Sequence, residues 1–310
     1  MHPNQKMGSL QTSRASVLQL MLRRVPHASR SWRHGRFAVF TMVLLAGAIA
    51  SAGAVDVPPA PSLDRGFQAL YRLDFDGGHQ EFANWEKQNP DNPVGAVSQA
   101  AGYLFSEFHR LGILEAQFYE NDSSFEQRKK QSPDPQIKQQ FDVAVDRAER
   151  LAQLRLSKDP KDRDALFSMT LASGLRADYA ALIEKRNLVS LHYTKEATVW
   201  AGQLLAVDSQ CYDAYVATGI SKYIIGSMAA PIRWVLHLGG VSGDKQQGIG
   251  ELQLAASKGH YLAPFARILL SIAYVRDHDK TQARALLASL RDEFPTNPLF
   301  AQEIARLDSR

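Results

Sequence analysis

Cysteine is almost missing from this chain: Cys211 is the only one in 310 residues, so no intrachain disulfide can hold the fold together. Strand signals are equally scarce. No stretch alternates apolar and polar residues for more than a few positions without a helical alternative, which argues against a sheet protein. The motifs of several enzyme classes are absent. There is no H-E-x-x-H and no second cysteine for a zinc site. The glycines at 239, 240, 243, 248 and 250 are followed by neither a P-loop Gly-Lys-Ser/Thr nor a strand-borne G-x-G-x-x-G. Gly240-Val241-Ser242-Gly243 fails as a nucleophile elbow because position 244 is Asp. A thiol–imidazole pair between Cys211 and His192 or His237 stays open at this level, although a lone thiol among helix-packing residues is usually an inert, small buried group.

Acidic residues are missing from the first 54 positions, where seven Lys or Arg fall. An apolar run from Phe37 to Ala50 follows, and then Ala52-Gly53-Ala54. Basic, apolar and small residues in that order are the pattern of a secretory signal with an A-x-A exit. Residues 1–54 are therefore expected to be a signal peptide, with an uncleaved anchor as the alternative, because the run is near the spanning minimum. Residues 55–62 read as a linker and 63–310 as the working domain. The working domain is expected outside the cytoplasm, periplasmic or extracellular, and touches a membrane only if the segment is retained. Seven of the 36 basic residues belong to this segment, leaving 29 against 32 acidic ones. The alkaline balance is thus a property of the leader and implies no nucleic-acid partner.

What fills the rest of the chain is helical periodicity. Leu63, Phe67, Leu70 and Tyr71 form one apolar stripe, and Phe82 and Trp85 mark a second helix. Proline-rich punctuation recurs at Pro90–Pro93, Asp159–Asp162 and Pro295–Pro298, where a helix cannot continue. Longer helices are predicted near 95–119, 137–157, 164–185 and 189–206, and a surface loop from Asn121 to Pro135. Counting back about 34 residues from Pro295 puts Ser271 and Ala283 at close-approach positions, with Tyr274, Leu270, Leu287 and Leu290 filling the groove between hairpins. Gly248, Leu252 and Ala255 stand 35 residues before Ala283, Leu287 and Leu290. Acidic pairs such as Asp74/Asp76 and Asp277/Asp279 sit where they would cap helices.

Over residues 261–298 the chain resembles tetratricopeptide-repeat proteins, and more loosely over 60–260. The run from Tyr212-Asp213-Ala214-Tyr215 through Leu238–Asp244 to Phe294–Pro298 is also similar to the divergent Iml2-type branch of helical repeats. The resemblance implies an all-α fold: antiparallel helical hairpins stacked as a superhelix, some elongated, with a groove for a protein or peptide. It implies no cofactor and no catalysis. Arg267 and Arg155 stand where the common pattern is apolar.

The most unusual segment is 212–250. Tyr212, Tyr215 and Tyr223 share a helical stripe, and Pro231 opens a short apolar helix carrying Trp234 and His237 before Gly239-Gly240. Asp244 is a natural N-cap, and Gly248 a small interhelical position. Tyr212, Tyr215, Tyr223, Trp234, His237 and Asp244 are therefore the candidate partner- or ligand-binding residues. An aromatic stripe of this kind more often packs in a core. The expected function is an exported scaffold for a protein or peptide partner. The alternative is a small-ligand-binding or hydrolytic helical protein with its pocket near Trp234, His237 and Asp244.

Overall fold

The computed structural model describes residues 61–114, 132–228, 230, 233, 234, 237 and 242–309. Residues 1–60, residues 115–131 and most of the short apolar helix predicted after Pro231 lie outside the described residues. The described chain is all helical, with no strand.

Eleven α-helices follow one another: α1 (Ser62–Tyr71), α2 (Phe75–Gln88), α3 (Pro93–Arg110), α4 (Pro135–Leu156), α5 (Arg163–Asp178), α6 (Asn187–Val207), α7 (Tyr215–Gly226), α8 (Lys245–Lys258), α9 (Ala263–Arg276), α10 (Lys280–Glu293) and α11 (Pro298–Asp308). A π-helical turn, Tyr179–Ile183, extends α5, and a 3-10 turn, Tyr212–Ala214, precedes α7. Neighbours pack as hairpins, α1 with α2, α3 with α4, and so on to α9 with α10, while α11 closes the end.

The punctuation has a double role. Asn92-Pro93, Asp134-Pro135 and Asn297-Pro298 each place a capping side chain before a proline in the first helical turn. The side chain accepts a bond from a free backbone N–H, and proline brings the right φ without wasting a donor. Pro135 is thus the first residue of α4 rather than the end of a loop. The second proline of a cluster starts the next helix as much as the first ends the previous one. Helix α3 is shorter than its periodicity suggests, ending at Arg110, whereas the stretch predicted as 164–185 is helical from Arg163 to Ile183 and changes to π geometry after Asp178.

Repetition is visible in the turns. Leu73 and His278 both adopt positive φ at a helix end, and the next residue, Asp74 or Asp279, caps the following helix. Asp74 accepts from the Gly77 amide and Asp279 from the Gln282 amide, each at 3.0 Å. The first and last hairpins therefore turn by the same chemistry.

Packing inside the C-terminal hairpins follows the small-residue logic. Ala283, Leu287 and Leu290 are buried with Phe294, and Leu270 and Ser271 are buried beside Tyr274. At Gly248 an added Cβ would stand 2.4 Å from the Tyr223 amide nitrogen and 2.7 Å from the Gly219 carbonyl. Helices α7 and α8 can approach so closely only because that position has no side chain. The charged departures are paired: Arg155 with Asp162 at 2.8 Å, and Arg267 with Glu293.

Candidate functional site

The first helix of each hairpin faces inward. Phe67 and Leu70 from α1, Phe105 from α3, Leu171 and Leu175 from α5, Ile220 from α7, Phe265 from α9 and Phe300 from α11 line a common cavity of about 310 Å3. Helices α4 and α8 contribute nothing to its wall. The volume is roughly twice that of an engineered apolar cavity able to hold benzene.

A latch closes this interior across the ends of the chain. The Phe67 ring stacks on Tyr261 at 4.8 Å between centroids, and the Tyr71 hydroxyl donates to the Tyr261 carbonyl at 2.9 Å. Asn297, buried at the start of α11, donates its side-chain amide to the Tyr71 carbonyl at 2.9 Å. Burial, with the nearby Asp213 carboxylate, raises the pKa of the Tyr71 hydroxyl, and burial with Asp64 and Asp213 pushes that of Tyr261 up to about 12, so both stay protonated.

Tyr261 owes its place to Asp213. One oxygen of this buried carboxylate accepts from the amides of His260 and Leu262 at 2.8 and 3.0 Å, and the other from Tyr261 at 2.9 Å. Those amides lie in the turn just before α9, where a helix start leaves N–H groups without internal partners. An anionic acceptor strengthens such bonds and suits the positive end of the helix dipole.

Asp178 is the exception in the wall. It ends α5, caps nothing, and makes no hydrogen bond or ion pair. Protein surrounds it, with part of its surface left open, and loss of solvent alone pushes its pKa up to about 7. Several other polar residues of the wall are engaged: Thr170 and Thr194 bond carbonyls one turn back, Glu303 bonds Arg306, and Arg276 has an interaction of its own. The sequence signal for Asp178 is an acid in helical register with Phe167, Leu171 and Leu182. Asp213, between Tyr212 and Tyr215, carries no local signal, because its partners lie 47 to 49 residues away.

Of the six candidate residues, only Tyr223 lines the cavity. It is buried with Ile249, Leu252, Leu270 and Ala273, under the Lys245 ammonium, which lies 6.0 Å from the ring centre. Tyr212 and Tyr215 are half-buried neighbours, 6.4 Å between centroids, with Lys258 over Tyr212. Asp244 caps α8 through the Gln247 amide at 2.8 Å. Trp234 is 65 % exposed and His237 is exposed. Cys211 is buried, its thiol pKa raised chiefly by burial, whereas His192 is exposed beside Glu196. No group of three potential metal ligands occurs among the described residues, and no described helix is long and apolar enough to cross a membrane. No known protein family, curated protein or solved structure matches the chain.

Proposed function

We propose that the chain is an exported, non-catalytic binding protein built from tetratricopeptide-like hairpins, and that its ligand is a small, largely apolar molecule held inside. The observation that carries this reading is the cavity of about 310 Å3 walled mainly by the first helices of successive hairpins, with contributions from α2, α6, α10 and α11. A wall of phenylalanine and leucine favours apolar surface, and a few placed polar groups suffice for orientation. An extended peptide suits the same space less well, because its backbone amides would lose water and meet few partners. Export rests on the basic, apolar and small-residue order of the leader.

The test is saturable fluorescence enhancement of N-phenylnaphthylamine, an apolar dye uncharged at neutral pH. The wild-type chain should bind it at one site. Gly174, in the wall of the cavity, has nothing within 4 Å of an added Cβ. Gly174→Phe should therefore fill the space and abolish binding while the helical circular dichroism persists. Absence of saturable binding by the wild type would overturn the reading. A second reading, a protein partner gripping the chain from outside, is favoured by the exposure of Trp234. Capture of one defined protein by the wild type but not by a folded Trp234→Asp chain would support it.

A further inference from the structure

Among the described residues the cavity has one carboxylate without a partner, and its position restricts what the ligand can be. Asp178 sits where α5 gives way to the π turn, in a wall otherwise made of groups such as Leu175, Ala181, Leu182 and Ala197. A carboxylate facing apolar surface has lost water and gained nothing in exchange. Asp213, the cavity's other aspartate, shows the contrast: all of its demand is met by three backbone amides. Asp178 has none of these and does not cap the turn that follows it. Glu303 is matched by Arg306.

Resting on the reading of the cavity as a ligand site, we propose that the ligand is a hydrophobic amine whose ammonium group pairs with Asp178 while its apolar body fills the interior. An ammonium supplies both N–H donors and the opposite charge, so it satisfies an isolated carboxylate more fully than a hydroxyl does. A fatty acid is disfavoured by the same residue, since two carboxylates in one dry site repel. The apolar wall explains the body of the ligand, and Asp178 its head.

The test is displacement of bound N-phenylnaphthylamine by decylamine, decanol and decanoate, which share a tail and differ in head group. Decylamine should compete at concentrations about tenfold or more below decanol, the size of a charge-assisted hydrogen bond, and decanoate should be weakest. In Asp178→Asn the amine should lose its advantage over decanol. Equal binding of all three heads by the wild type, or preference for decanoate, would overturn the proposal and leave the apolar cavity reading standing. Dye that never binds would remove both. Should the variant fail to fold, the wild-type ranking decides alone. A proton released from Asp178 on mixing with decylamine in weak buffer, and none with decanol, is the independent signature of a new ion pair.

Discussion

The hairpin of α7 and α8 and the central one of α5 and α6 use glycine for opposite ends. Gly248 lies where two backbones touch, and any side chain there would collide with Tyr223. Gly174 lies at the cavity wall, where a side chain would meet nothing. One glycine lets two helices pack to the limit of their atoms, and the other leaves the cavity face of its helix uncovered. The lesson is that the same two-helix unit serves as a structural member in one place and as the wall of a container in another. Only local packing distinguishes the roles.

The sharpest way to break the contrast is to add bulk at Gly248. Gly248→Val should destabilise the fold by about 3 kcal/mol or more in urea unfolding, since backbone rather than a flexible side chain blocks the space. If the variant unfolds like wild type, the tight approach of α7 and α8 is wrong. Removing the support beneath Tyr261 comes next. Asp213→Ala leaves three amides without their acceptor and should remove about 2–3 kcal/mol, together with dye binding.

Asp178 gives a smaller effect whose sign depends on pH. An acid that holds its proton more tightly when folded loses stability as pH rises from the ordinary carboxylate range to about 7. The penalty is complete above that window and absent below it. Asp178→Asn should accordingly raise stability by about 1–3 kcal/mol at pH 8 and leave it unchanged near pH 3. A variant equally stable to wild type at pH 8 would show that Asp178 keeps its water. The smallest effect is at Gly174. Gly174→Ala should stabilise by about 1 kcal/mol, the ordinary gain for alanine in a helix interior, where the same change at Gly248 should destabilise.

Much of the architecture was legible because helices announce themselves locally. Ala283, Leu287 and Leu290 are spaced as one helix face, and Gly248, Leu252 and Ala255 repeat that face, so both could be read as buried without knowing their neighbours. Caps such as Asp74, Asp244 and Asp279 were legible for the same reason, since their partner is three residues away. The cavity was not. It depends on how far the hairpins rotate against one another and on contacts between positions as distant as Tyr71 and Asn297, which no local pattern encodes. Tyr223 was picked for its aromatic stripe, and the same stripe packs it into the core between α7, α8 and α9. Asp178 needed both kinds of knowledge: its register on α5, and the empty space that register faces.

The bonds joining Tyr71 to Tyr261 and Asn297 span 190 and 226 residues. In an open array each unit answers only to its neighbours, so stability accumulates piece by piece and the ends fray first. Here the first described helix is fastened to the turn before α9 and to the start of α11, so the two ends of the described array constrain one another. Contacts of such reach form late, because the chain must first give up the entropy of a very large loop. A nascent chain therefore has hairpins long before it has an interior. Loss of α1 or α11 should open the whole container at once rather than shorten it by one unit.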